Sequence, residues 1–467
     1  MTKTLPRLNK SPLWQRFKWI ADPVGYMDVA AQHCPDIFTA DIVGNETKYV
    51  FVHHPEALQQ ILTGDRHKFE ASGKANELLK PLLGDYSIVM LEGDRHKERR
   101  KLLLPPFHGA RMQAYGELIV NLTKNIFDRF TSGNTFTART ITQEISLQVI
   151  LEAVYGLGNE ASSQELKQRI VGMADVFNSP LTSAFLFFTW LQKDLGAWSP
   201  WGNFLRQQGA IDRAIAQELD RRQNEPDKER QDILSLLMSA RDEDGQPMSD
   251  RELRDELMTL MFAGHETTAT AMAWGLYWIH RNPQIKAQLL AEIAELGKKP
   301  DPMEIFKLPY LNAVCQETLR IYPVGMLTFP RIVKEPMELL GYSLEPGQIL
   351  TGCIYLTHHR EDIYPEAKQF KPERFLEKQY SPSEFITFGG GARRCIGEAL
   401  AQFELKLVLA TILANYDLSL VSDRPEQPQR RGVTLAPANG VQMIFQGDRK
   451  ERLSVNSKQL SVTVDRS

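Results

Sequence analysis

The sequence predicts a mainly α protein with a small β region, an α+β class in which helices dominate. Apolar residues recur at helical spacing over long runs, as at Ile396, Leu400, Phe403, Leu407 and Ala414. One run, from Ser249 to Asn282-Pro283, is long enough at about 1.5 Å per residue to cross a whole domain. The alternating stretches Ile37–Ile42 and Lys48–His53 flank Gly44-Asn45 and read as a β-hairpin.

In chain order, Pro23 opens a short helix over Tyr26–His33, and the hairpin follows. The adjacent His53 and His54 point to opposite faces of a strand, so they cannot chelate one ion. Gly93–Phe107 is a strongly basic helix that places His96 and Arg100 on one face at i and i+4. Met112–Gly156 and Gln164–Gln223 read as helical, with breaks at Ser179-Pro180 and Gly196–Gly202 and a cluster of Phe and Trp around them. Asn224–Asp232 is a short charged connector. Ser249 and Glu252 have capping-box spacing at the start of the long helix, whose middle reads Ala263-Gly-His-Glu-Thr-Thr268. A threonine hydroxyl there can bond a backbone carbonyl and loosen the helix. HETT is not a zincin motif, because Ala269 stands where a second histidine is needed. Glu317 and Arg320 pair at i and i+3, and the alternating stretches Met337–Leu340 and Ile349–Tyr355 suit a small sheet. The chain beyond Gln446 is polar and charged, a tail expected to fray.

The chain has 467 residues, 42% hydrophobic and 24% charged, which suffices for a large core and argues against disorder. No linker, repeat or shift of composition divides it. One domain over 1–467 is expected, with a core of about 14–445 and a tail at 447–467. A net charge of −3 gives no pull towards nucleic acid. Cys34, Cys315, Cys353 and Cys395 are scattered with no CxxC pair, so neither a disulfide framework nor a tetrahedral zinc site follows, and a reducing cytoplasm fits. The most apolar run, Ala184–Leu191, is far shorter than the ~20 residues a transmembrane helix needs. A soluble cytoplasmic monomer without a membrane anchor is expected.

The chemistry concentrates in Phe388-Gly-Gly-Gly-Ala-Arg-Arg-Cys-Ile-Gly397. Its glycines let the backbone approach something flat. Cys395 stands just before a helix, where the dipole and free N–H groups favour a thiolate, and Arg393 adds positive charge. A thiolate in such a loop suggests a ligand to haem iron.

Phe388, Gly391, Arg393, Cys395 and Gly397, at these offsets, resemble the haem-binding loop of the cytochromes P450. The resemblance extends from about Trp14 to Phe445 and includes AGHETT, ETLR and PERF in the family's order. It implies the mostly α P450 fold, with haem b (iron protoporphyrin IX) between the long helix and the helix after Cys395, and Cys395 as its thiolate ligand. His96, Arg100, Arg331 and Arg393 would meet the haem propionates. Ala263 and Gly264 would leave room for dioxygen, and Glu266 and Thr267 would form the acid–alcohol pair that delivers protons. Glu317, Arg320 and Arg374 would form the buried triad that holds the scaffold.

The same resemblance implies a substrate pocket lined by Ile88, Phe185, Phe262, Ala263, Val324, Met326, Leu327, Thr434 and Leu435. The expected reaction is monooxygenation of a hydrophobic small molecule, a fatty acid, alkane or terpene, using O2. Two electrons would come from a ferredoxin-type or flavodoxin-type donor and its NAD(P)H reductase, docking near Lys97, Arg99 and Lys101. In the fatty-acid hydroxylase of the family an Arg and a Tyr on the first hairpin hold the carboxylate. Tyr49 matches the Tyr, while Asn45 stands at the Arg position with Lys48 near it. The alternatives are a peroxygenase or isomerase that needs no donor, and a non-catalytic haem-thiolate protein. The Glu266-Thr267 pair favours the monooxygenase.

Overall fold

The computed structural model describes residues 3–42, 49–64, 68–71, 73–107, 111–156, 169, 192–224 and 232–449. Helices dominate them, and the β structure is confined to small sheets. The long helix, Asp250–Arg281, forms as its sequence requires. Ser249 caps it, accepting from the Glu252 N–H, while the Glu252 carboxylate accepts from the Ser249 N–H, a reciprocal capping box. Residues Thr268–Tyr277 are all buried, and the helix packs against the helices Ala138–Tyr155 and Glu398–Asn415. Trp274, fully buried within it, donates its indole N–H to Leu435 O at 3.0 Å, which ties the helix to a C-terminal hairpin.

Twelve strands are described: β1 Ile37–Ala40, β2 Tyr49–Val52, β3 Phe69–Glu70, β4 Thr135–Thr137, β5 Arg331–Val333, β6 Met337–Leu339, β7 Tyr342–Leu344, β8 Ile349–Gly352, β9 Tyr416–Leu420, β10 Pro428–Arg431, β11 Thr434–Pro437 and β12 Gln442–Asp448. The expected first hairpin is present, with Ile37 opposite Val52 and Ala40 opposite Tyr49. It continues into a five-stranded sheet ordered β1-β2-β8-β5-β3, in which β2 and β8 are parallel. β10 and β11 form a hairpin, and β4-β12-β9 form a third sheet.

The expected continuous helical pattern over Met112–Gly156 is interrupted. The helix Arg111–Phe127 stops, and the chain turns through Gly133 at φ +92°. β4 then pairs with Gln442–Ile444 before the helix Ala138–Tyr155 begins. A local turn separates Arg111–Phe127 from β4: Asn134 Oδ1 accepts from the Thr131 N–H, and the Asn134 N–H donates to Thr131 O. Within the Gln164–Gln223 expectation, the described helix is Pro200–Asn224. Among the described residues, no helix is long and apolar enough to cross a membrane.

Candidate active site

The loop before the helix Glu398–Asn415 needs glycine at two of its four glycine positions. Gly389 and Gly391 have φ of +67° and +64°, where other residues are strained. The Cys395 N–H donates to Phe388 O at 3.0 Å, which closes the loop on the half-buried Phe388. Gly397 is the N-cap, so the first helical residue is Glu398 and Cys395 stands short of it. Cys395 is the one solvent-accessible cysteine of the four, yet its thiol sits deep among protein atoms.

These surroundings bear on the expected ionisation of the thiol. Burial pushes the Cys395 thiol up to about 11, and Glu398 pushes the same way. The Gly397 N–H, Arg100 and Arg394 oppose them without winning. The protein alone holds a thiol here, and a coordinated metal ion is what would make it a thiolate.

Four residues from three separate stretches of the chain converge at this loop. His96 lies buried on the helix Gly93–Leu103. Its pKa is lowered to about 4, first by burial and then by the charges of Arg393, Arg100 and Arg331. His96 is therefore neutral at physiological pH, facing three guanidinium groups. Backbone carbonyls fix them in place. Arg100 donates to Arg394 O at 2.6 Å, and Arg331 to Phe329 O at 2.9 Å and Gly390 O at 3.2 Å. Arg393 donates to Ile88 O at 2.7 Å and to Leu91 O and Ala71 O at 2.5 Å. Such a cluster favours an anion, because each added negative charge relieves mutual repulsion.

On the long helix, Ala263 is exposed in mid-helix and Thr267, one turn on, is half-buried. The Thr267 hydroxyl donates to Ala263 O at 2.6 Å, while the helix continues unbroken through this turn. Gly264 also lies at a close helix contact. A Cβ there would lie 2.9 Å from Ile150 Cδ1, so the missing side chain serves close approach to the helix Ala138–Tyr155. Glu266 faces that helix too. One oxygen is paired with Arg139 and the other accepts from Gln143 Nε2 at 2.8 Å. Arg139 and Gln143 were missed in the sequence. Their i, i+4 spacing was the available signal, but nothing there showed which helix they face.

The triad assembles as expected. Arg320 meets Glu317 through two bonds, 2.6 and 2.8 Å, and Arg374 Nε lies 3.2 Å from Glu317 Oε1. The Glu317 and Arg320 side chains are fully buried. Arg320 also donates to His358 O at 2.7 Å. The ring of His358 accepts from the Ile386 N–H at 3.0 Å, two residues before Phe388. The triad thereby braces the entry to the cysteine loop, and His358 is a bracing residue that sequence reading missed.

Among the expected pocket residues, Phe262 and Leu327 are half-buried, and Ile88, Val324 and Thr434 are buried. The backbones of Gly325 and Thr434 pair, which brings those two segments together. Met326 and Leu435 are corrections. Both are buried in a separate small core with Trp19, Tyr26, Phe38 and Phe51, against which Leu327 also packs. The accessible apolar side chains on these segments are instead Phe329 and Val433, 37% and 41% exposed. Phe185, Asn45 and Lys48 lie outside the described residues.

Arg99 is a further correction. It is buried, and it bonds Glu252 at 2.6 Å and Glu256 at 2.8 Å on the long helix. It therefore cannot belong to a docking surface. Lys97 and Lys101 are exposed, and Lys101 pairs with Glu243 at 3.0 Å.

A sequence profile of the family described as Cytochrome P450 matches residues 6–445. A Mycobacterium bovis protein named provisionally as cytochrome P450 135B1 is 31% identical over 442 residues, 94% of this chain and 90% of that protein. A Mycobacterium tuberculosis protein named in the same way as cytochrome P450 137 is 32% identical over 365 residues, 78% and 74% of the two chains. Two solved structures share the fold. Retinoic acid-bound cyanobacterial CYP120A1 has a TM-score of 0.81 at 22% identity, covering 95% of this chain and 99% of that one. The cytochrome P450DA heme domain has a TM-score of 0.83 at 20% identity, covering 96% and 98%.

Proposed function

The chain belongs to the cytochrome P450 family, and on that footing we propose that Cys395 is the axial thiolate of its haem b and that the substrate is a hydrophobic small molecule. The enzyme is a haem-thiolate monooxygenase. When bound, the haem supplies an iron centre that activates dioxygen for insertion of one oxygen atom into a C–H bond. The observation that carries the residue assignment is the convergence of His96, Arg100, Arg331 and Arg393 beside an accessible, enclosed cysteine. Three guanidiniums and a neutral imidazole donor suit two carboxylates, which is what the propionates of this group present. The residues fit the cofactor.

Each residue then has a stated task. Arg100 and Arg394, with the Gly397 N–H, would favour the deprotonated Cys395 that ligation of haem iron requires. Thr267, beside the exposed Ala263, holds a proton-carrying water, since its own O–H is committed to Ala263 O and its lone pairs remain to accept. Glu266 supplies protons once its bonds to Arg139 and Gln143 exchange for water.

Two electrons come from an external ferredoxin-type or flavodoxin-type donor with its NAD(P)H reductase. Lys97, Lys101 and Arg394 are the exposed cations suited to its acidic surface. The exposed pairs Lys101–Glu243 and Arg394–Glu398 are weak enough to exchange for donor carboxylates. The apolar character of Phe262, Val324, Leu327, Phe329 and Val433 supports a fatty acid, alkane or terpene as substrate.

The test is the spectrum of the reduced carbon monoxide complex, with NADPH-driven turnover by a generic ferredoxin pair. The thiolate-type Soret band and product are expected from the wild type, and neither from Cys395→Ala. A Cys395→Ala protein that kept the band would remove the assignment. Thr267→Ala is expected to release more peroxide and yield less product per electron, and undiminished coupling would remove the relay. Screening the three substrate classes for a low-to-high spin shift tests the pocket; no shift with any of them would count against a hydrocarbon substrate.

A further inference from the structure

The first helix, Pro12–Ala21, buries Gln15 and Trp19 on its inner side. Its polar Gln15 points inward, only 5% exposed, and is held there by three hydrogen bonds. Gln15 Nε2 donates to Lys10 O at 3.0 Å, and Gln15 Oε1 accepts from Tyr26 Oη and from the Asp41 N–H, each at 3.1 Å. Trp19, on the same inner side, packs edge-on against Tyr26 and Phe51 at 5.7 and 5.5 Å. These contacts fix the rotation of the helix about its axis.

The outer side is apolar. Leu13, Phe17 and Ile20 are 76%, 72% and 50% exposed, at the i, i+4, i+7 spacing that puts three side chains on one stripe. Exposed apolar residues are ordinary when scattered singly, whereas three in register on a rotationally fixed helix form a surface.

Charge indicates what that surface meets. Residues 1–21 contain Lys3, Arg7, Lys10, Arg16 and Lys18 and no Asp or Glu, in a chain whose net charge is −3. Arg16 and Lys18 are paired with Asp41 and Asp22, while Lys3, Arg7 and Lys10 are exposed. The ten-residue helix is about 15 Å long, half the ~30 Å of a bilayer's hydrocarbon, so it can lie on a membrane but not span it. We propose that the Leu13–Phe17–Ile20 face of this helix docks onto an anionic lipid surface, with the neighbouring basic residues meeting the headgroups.

The test is co-sedimentation of the full-length, haem-loaded enzyme with vesicles of phosphatidylglycerol and, separately, phosphatidylcholine. The wild type is expected to pellet with phosphatidylglycerol vesicles and to bind phosphatidylcholine more weakly. Combining Leu13→Ser, Phe17→Ser and Ile20→Ser is expected to lower partitioning at least about tenfold. The carbon monoxide spectrum reports that the variant is folded, and Phe17→Ser alone is the milder variant, expected to give a smaller loss in the same direction. Combining Lys3→Glu, Arg7→Glu and Lys10→Glu is expected to abolish the preference for phosphatidylglycerol. A wild type that stays in the supernatant overturns the proposal, as does a triple-serine variant that pellets equally well. A concentration-dependent dimer that the serine changes dissolve, without vesicle binding, overturns it too and assigns the face to a second copy of the chain.

Discussion

Replacing Glu404 by Gln tests the electrostatics of the core. Glu404 is buried in the middle of the helix Glu398–Asn415, and its Oε1 has no hydrogen-bond partner among the described residues. Burial raises its carboxyl from the ordinary 4.5 to about 8, and a hydrogen bond with Ser146 only partly offsets this. The folded protein thus keeps a proton that the unfolded chain releases above pH 4.5. The sign follows: this contribution to stability is full below pH 4.5, declines as pH rises, and is lost by about pH 8. Within that window each pH unit costs up to about 1.4 kcal/mol, so from pH 6 to 8 the loss approaches about 2.7 kcal/mol.

Glutamine has the same shape and does not ionise. In urea unfolding of the haem-loaded enzyme followed by circular dichroism, Glu404→Gln is therefore expected to gain on the wild type by up to that amount between pH 6 and 8. Stability differences that stay constant across this range would refute the claim that Glu404 is protonated in the fold.

Arg320→Ala would leave the Glu317 carboxylate buried without its main partner, and a loss of about 3–5 kcal/mol in urea unfolding is expected; an unchanged midpoint would contradict the geometry. Gly84→Ala puts a Cβ at φ +84° and 2.1 Å from Asp255 Oδ1, whose partner oxygen accepts from the Tyr86 N–H. Destabilisation of roughly 1–3 kcal/mol should follow, with faster amide exchange at Tyr86. Lys97→Glu should slow reduction by an acidic ferredoxin severalfold at low salt without altering stability, while Arg99→Ala should lower stability by about 3 kcal/mol or more. Equal effects of the two on stability would refute the division between surface and buried cations. Arg139→Ala should change product per electron while leaving the thiolate spectrum intact, and unaltered coupling would show that Glu266 acts independently of that pair.

The sequence by itself determined the class of the fold, the first hairpin, the capped long helix and the cysteine loop, because each is written in local chemistry. Period 3.6, period 2, Ser-x-x-Glu and clustered glycines act over a few residues. The same locality made the pairs His96/Arg100 and Glu317/Arg320 visible at helical spacing. Only the tertiary structure decided which neighbour each helical face meets. It turned Glu266 to Arg139, Gly264 to Ile150, Arg99 to Glu252 and Glu256, and Leu435 into a second core. It likewise raised the Cys395 thiol to about 11, where position before a helix had suggested easy ionisation. Burial and charge pairing depend on segments distant in the chain, and helical spacing carries no information about them.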